Sequence, residues 1–458
     1  MSAGNLDGAA EGVELAEVRP CLEGAIPAIM ATCAADGTPN VAYISQVFHV
    51  DERHVALSFQ FFNRTRQNLM AHPRSTVLVL HPVTARFYRL HLRYLRTEES
   101  GPVFESMKAQ LASIASHSGM SGVFRLLGSD IHEVQAIERL DGAPLPEPPA
   151  RCSMLGALRR GSGRLAACDS LDTLLDATMT TLGQDLGIEH ALLLILDPAT
   201  ERLYTVASLG YPSSGVGSEI ALGDGVIGVA ARERTPVRIM HMTSAYLYSR
   251  AMRDSLAGAA AMPQGTDIPY PGLREPHSQM AVPLLSAGRL LGVLFVESPQ
   301  ELRFSYEDED LLVTLAGQLA AAIDLMQECA EPAPPQSPQP GAAPARSRTG
   351  PTLRVRRYRS NDSVFVNDAY LIKGVAGAIL WKLLQDRQRH GRSEFTNREL
   401  RLDAALRLPD VADNLEARLL LLQRRLEEQC PQLRIQKTAR GCFRFEALGP
   451  VVLEEMAA

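Results

Sequence analysis

The chain has 458 residues, 46% hydrophobic and 21% charged, with a net charge of −6. That is enough apolar material for about three domains of ordinary size, so wholesale disorder is excluded. No apolar run approaches the about 20 residues of a membrane helix, the acidic start MSAGNLDGAAEGVELAE lacks the apolar core of a signal peptide, and seven cysteines without a C-x-x-C spacing suit reduced thiols in a cytoplasmic protein with no membrane partner.

Charge is unevenly spread. Residues 351–447 carry 19 Lys and Arg against 12 Asp and Glu, whereas residues 1–350 carry 27 against 38. An acidic body with a basic terminal module points to a regulator whose end meets a polyanion; a basic surface also serves solubility alone. Residues 331–350, EPAPPQSPQPGAAPARSRTG, hold six prolines and almost no large apolar side chain, the composition of a semi-extended linker. DGAPLPEPPA, residues 141–150, is a weaker break. The expected organisation is a disordered tail over 1–19, domains over 20–140 and 155–328, a linker over 329–350 and a last domain over 351–447.

The first block opens with three strand-like runs separated by turn signals at Asp36-Gly37 and at residues 50–53. Residues 59–70 switch to helical spacing, and His72-Pro73 ends that helix because proline disfavours helical geometry in the residue before it. Strands over 75–83 and 86–96, a helix over 102–116 with Phe104, Met107, Leu111 and Ile114 on one face, and a strand over 129–139 complete it. With SQVFHVDERHVALSFQFFNRTRQNLMAHPRSTVLV as the carrying segment, the block resembles the pyridoxamine-phosphate-oxidase-like split barrel, a family that binds flavin mononucleotide (FMN). The resemblance implies a phosphate held by Asn63, Arg64, Thr65 and Arg66 at the start of a helix, with Ser45 and Gln46 at the isoalloxazine edge. The family's Ser-Arg-Lys phosphate clamp is not literally present, and related barrels bind haem or have no ligand. The block offers no acid–base pair, so no catalytic residue is assigned.

The second block sets Leu171, Leu174, Leu175, Met179 and Leu182 along one helical stripe, and Leu311, Leu312, Leu315, Leu319, Ile323 and Met326 along another. Between them lie strand candidates at 190–196, 202–209, 236–239, 279–283 and 290–297. LGDGVIGVAARERTPVRI, SQMAVPLLSAGRLLGVLFVES and the closing DEDLLVTLAGQLAAAI helix make the block resemble a GAF domain. The resemblance implies a small-molecule effector in a cavity over the sheet. An insertion over 241–277 would roof it, with Tyr246, Tyr248, Arg250, Arg253, Tyr270 and Arg274 suited to a planar anion; the alternative is a surface loop without a ligand. No metal site is expected. The glycines around Asp224 lack the G-K-[ST] of a phosphate loop.

The third block has short strands at 353–358 and 363–366, a helix over 373–390, and a second helix opened by Thr396 with Glu399 at capping-box spacing. A third helix over 413–429 and a hairpin over 433–446 follow. LLQRRLEEQCPQLRIQKTARGCFRFEA makes the block resemble the OmpR-type winged helix-turn-helix. The resemblance implies a third helix in the major groove of DNA, with Asn414, Arg418 and Arg425 meeting bases or phosphates and Arg440 in the wing. Leu419–Leu422 and Glu416 depart from a basic recognition helix; Leu420 or Leu421 then marks an exposed dimer seam, and protein binding stays an alternative.

The fold class expected is therefore multidomain α+β, with an N-terminal split β-barrel, a central GAF α/β sandwich and a C-terminal winged helix. The function expected is a homodimeric, ligand- or redox-responsive transcription regulator rather than an enzyme. A flavin-dependent oxidoreductase with a regulatory GAF domain and a ligand-gated protein scaffold are the alternatives.

Overall fold

The computed structural model describes residues 13–22, 26–44, 47–59, 64–117, 126–145, 153–240, 268–328, 352–403, 406, 415–439 and 441–456. They fall into three modules, each built around its own sheet or pair of sheets.

The N-terminal module is a curled, antiparallel, seven-stranded half-barrel. Its strands are β1 (Ala28–Cys33), β2 (Pro39–Ile44), β3 (Phe48–His49), β4 (His54–Phe59), β5 (Arg74–Leu80), β6 (Phe87–Glu98) and β7 (Gly128–Arg139), in the order β2-β1-β5-β6-β7-β4-β3. Apolar residues at every second position, such as Val77 and Val79, turn inward and form the core with Met30, Val55, Leu90 and Leu92. Irregular register between His91 and Leu92 and again between Tyr94 and Arg96 bends the long β6–β7 pair, which lets the sheet curl. A short helix α1 (Leu15–Val18) and a 3-10 turn (Arg19–Leu22) bury Leu15, Val18 and Leu22 in the same core. This corrects the expected tail over 1–19: three apolar residues at helical spacing were enough to anchor its end. Helix α2 (Arg64–Ala71) lies within the stretch of helical spacing, whose first residue, Phe59, closes β4 instead.

Helix α3 (Pro102–His117) leaves the barrel and serves two cores. Phe104 and Met107 pack on the half-barrel, while Ala109 packs on the next module. That module has the strands β8 (His190–Asp197), β9 (Arg202–Leu209), β10 (Glu219–Ala221), β11 (Val237–Ile239), β12 (Ser278–Ser286) and β13 (Arg289–Ser298), in the order β10-β9-β8-β13-β12-β11. Helices α5 (Leu171–Thr180) and α7 (Tyr306–Glu328) bury one face, with α4 (Met154–Ala166) packed on both of them, and α6 (Gly225–Glu233) with α3 buries the other. Both faces being covered explains the unbroken ALLLIL of β8: Leu193 and Ile195 join the first core, Leu192 and Leu194 the second. Helix α4, with Ser153 accepting from the Gly156 N–H, was not anticipated from the sequence; its small residues hide its period.

The C-terminal module begins with β14 (Leu353–Tyr358), β15 (Ser363–Val366) and β16 (Ala369–Ile372), followed by α8 (Gly374–His390), β17 (Glu394–Thr396), α9 (Asn397–Leu402), α10 (Leu415–Gln429), β18 (Leu433–Ala439) and β19 (Cys442–Ala447). The Thr396–Glu399 capping box forms at α9 as its spacing suggests. A further strand, β20 (Val451–Met456), pairs in parallel with β14, so the module reaches 456 rather than 447. Glu454 and Glu455 on it face Arg354, Arg357 and Arg359, which neutralises much of the positive charge of the first strand.

Neighbouring modules are joined. The guanidinium carbons of Arg19 and Arg238 lie 4.5 Å and 4.1 Å from the ring centroid of Tyr306, with His49 beside it. On the far side, the central and C-terminal cores form one continuous apolar cluster.

Candidate functional site

In the barrel, two of the side chains expected to hold a phosphate, Thr65 and Arg66, are engaged with the protein. Arg66 is ion-paired with Asp130, donates to the Thr97 hydroxyl at 3.0 Å and stacks over Phe59. Thr65 accepts from Asn40 at 3.1 Å. Arg64 is exposed at the start of α2. Ser45, Gln46 and Asn63 lie outside the described residues. A phosphate dianion set against Arg66 would face the Asp130 carboxylate, and in a partly buried setting like charges repel strongly. Thr65 and Arg66, so engaged, do not make a cradle for the FMN phosphate. His132 lies beneath this network, fully buried, its Nδ1 against the Asp130 carbonyl oxygen; burial holds it below the usual histidine range.

The central module carries a polar row that its sequence did not advertise. His190, Glu297 and Gln279 are register partners on three adjacent strands and point to the face shared with α6. The Glu297 carboxylate is fully buried. It accepts from the Tyr211 hydroxyl at 2.9 Å, the Leu273 N–H at 2.7 Å and the Gln279 amide at 3.0 Å. Burial, reinforced by that carboxylate, pushes the Tyr211 phenol far up, so it stays a donor. Among the described residues, the Oε1 of Gln279, a residue 6% exposed, and the buried Nδ1 of His190 have no hydrogen-bond partner. Buried polar atoms without partners are costly and uncommon, so this pair marks a position where a ligand or water would be stabilising. The signal available in the sequence was polarity at inward positions of otherwise apolar strands: Gln279 in SQMAVPLL, Glu297 in LLGVLFVES. A cleft of about 90 Å³ reaches Glu297 between Gly187–Glu189 and Ser298–Phe304, well below the about 300–1,000 Å³ of an ordinary effector site. Tyr270 and Arg274 are exposed, and Tyr246, Tyr248, Arg250 and Arg253 lie outside the described residues.

The third candidate surface, α10, is not open. Arg418 donates to Asp197 at the end of β8, 3.0 Å away, with 7% and 13% of the two side chains exposed. Arg425 is buried within its own module and donates to the Leu371 carbonyl oxygen at 3.1 Å. Leu420 and Leu421, expected to leave one exposed seam, are 6% and 8% exposed. Arg418 and Arg425, the two α10 arginines assigned to DNA contacts, are thus withdrawn from solvent in this arrangement, because the apolar Leu419–Leu422 run drives the helix inward and takes them along. Asn414 and Arg440 lie outside the described residues.

The GAF-domain family model matches residues 168–324, and the pyridoxamine 5'-phosphate oxidase model matches residues 15–138. The chain carries a GAF domain, and a pyridoxamine-phosphate-oxidase-like domain precedes it. Among solved structures, the GAF domain of an Acinetobacter phosphoenolpyruvate-protein phosphotransferase is similar at 24% identity, over 39% of this chain and 97% of that one, with a TM-score of 0.31. A free methionine-R-sulfoxide reductase from Neisseria meningitidis, in complex with its substrate, is similar at 20% identity over 40% and 98%, TM-score 0.31. An FMN-binding protein from Syntrophomonas wolfei is similar at 14% identity over 28% and 86%, TM-score 0.24. No curated protein matches the chain. The two domains are those of a sensing or regulatory protein, or of a flavin-related one. No helix among the described residues is long and apolar enough to cross a membrane.

Proposed function

We propose that this chain is a ligand-responsive transcription regulator: the GAF domain senses a small molecule at the Glu297 row, and the C-terminal module acts on DNA as a winged helix. The observation that carries the reading is the direct seating of α10 on the sensor, through Arg418 and Asp197. A sensor biases an output only if its bound state changes contacts that the output module makes, and here those contacts exist. The order of elements from β14 to β19, with a hairpin after the third helix, supports the winged-helix resemblance. The working unit is a homodimer and the protein cytoplasmic; Leu155 on α4 and Leu325 on α7, both well exposed, support a second copy.

The test is retention of genomic DNA fragments by the full chain, at low salt, with pools of small metabolites. Sequence-selective enrichment in at least one pool is expected, and its loss should follow salt steeply, by about 0.9 in log–log slope per neutralised phosphate. Failure to enrich any fragment in every pool removes the reading. A second reading, a ligand-gated protein scaffold, is favoured by the leucines of α10, since a helix face made of Leu420 and Leu421 suits protein better than a base edge. It gives a slope near zero in the same titration.

A further inference from the structure

Four carboxylates of the GAF domain, Asp172, Asp176, Asp197 and Glu219, come from α5, β8 and β10 and face the C-terminal module. Three take its arginines: Arg424 donates to Asp172 and Asp176, each at 2.8 Å, and to the Val206 carbonyl oxygen at 3.0 Å, while Arg418 meets Asp197. Glu219 takes Lys373 at 3.3 Å. We infer that the three aspartates, with the Glu219–Lys373 pair beside them, form a releasable latch that occupies the cationic side of α10 as phosphates would, so that GAF docking and polyanion binding by this helix exclude one another.

Two features make the contact a latch. Its charged rim is partly solvated, with Asp172 and Asp176 about half and two-thirds exposed, and such pairs hold weakly and respond to salt. Its apolar centre meets the sensor at a turn tied to the polar row. Gly217 has φ +89°, and a Cβ there would lie 2.6 Å from Ile268 Cδ1 and 3.6 Å from Leu421 Cδ1. Pro271 presses on Gly215 in the same way. The chain runs on to Leu273, whose N–H is held by Glu297. A ligand that engages Gln279 or His190 and repositions Glu297 therefore moves the segment 268–273, which touches the turn supporting Leu421. Coupling of this kind needs only that ligand and latch prefer different positions of one element.

The inference rests on the DNA-binding reading only for what the released helix does next. The experiment uses the full chain carrying Asp172→Asn, Asp176→Asn and Asp197→Asn. Hydrogen exchange by mass spectrometry reports release, and fluorescence anisotropy with a labelled random-sequence duplex at low salt reports polyanion binding. Expected are at least about tenfold faster exchange in peptides spanning 203–219 and 415–429, unchanged exchange in β12 and β13, and at least about tenfold tighter duplex binding. Faster exchange without tighter binding supports the latch and overturns the DNA reading. Unchanged exchange in those two peptides overturns the latch. Should the triple variant lose exchange protection in β12 and β13 as well, the double variant Asp172→Asn/Asp176→Asn, both sites being well exposed, decides by the same criteria.

Discussion

At the residue scale, buried polar groups with committed partners give the clearest expectations. Replacing Arg66 by alanine strands the buried Asp130 carboxylate and leaves Thr97 with one partner fewer. Removing one member of such a pair costs about 3 kcal/mol, so urea unfolding should show a lowered midpoint, partly restored in Arg66→Lys. Arg66→Ala should change flavin content little, because the guanidinium is already committed to Asp130; a yellow parent whose colour is lost in the variant would overturn that reading of the site. Glu297→Ala leaves the Tyr211 hydroxyl, the Leu273 N–H and the Gln279 amide without their acceptor. A loss of about 1–3 kcal/mol for each donor left unsatisfied is the scale to expect, and Glu297→Gln, which keeps an acceptor oxygen, should recover a measurable part in the same denaturation curve.

At the element scale, β20 shows how a short strand completes a module. It covers the edge of β14, where Leu353 and Val355 are fully buried, and supplies carboxylates to three arginines. Truncation after Gly449 opens that edge, and an unpaired apolar strand edge is an association hazard. A lower unfolding temperature for the C-terminal module and concentration-dependent association in size-exclusion chromatography are expected; a truncated chain that melts and elutes like the parent would show that β20 contributes nothing. Helix α10 makes the complementary point. Its stripe Leu415, Leu422 and Leu426 reads as core from spacing alone, yet Leu420 and Leu421 are buried too, Leu421 beside Gly217 of the GAF domain.

At the scale of the whole molecule, the joint between barrel and GAF domain should respond to pH through His49. His49 lies beside Tyr306 and Arg19, with Asp51 and Asp310 near enough to act on it; burial, and then the Arg19 charge, hold its pKa below 6.5. A histidine depressed in the folded state contributes stability that is complete above its unfolded value and is lost as pH falls through the folded one. Between about pH 7 and pH 5 the joint should therefore weaken, seen as a falling melting temperature, and His49→Gln should remove that part of the pH dependence. A variant with the parent's pH profile would assign the effect to other groups.

Period and punctuation determined much of this protein. The alternation in β5, the twin-faced apolar runs of β8 and β13, the leucine stripes of α5 and α7, the capping box at Thr396 and the glycine-turned hairpin near the end all express local backbone physics, which a linear sequence carries in full. Pairing across space is not local, and only the tertiary structure decided it. Arg66 looked open to a phosphate until Asp130, 64 positions away, took it. Arg418 looked open to DNA until Asp197, 221 positions away, took it. Glu297, Gln279 and His190 became one polar row only when three strands aligned them. The physical reason is common to all three: a charged or polar side chain states what it can bind, while burial and the nearest opposite charge determine what it does bind.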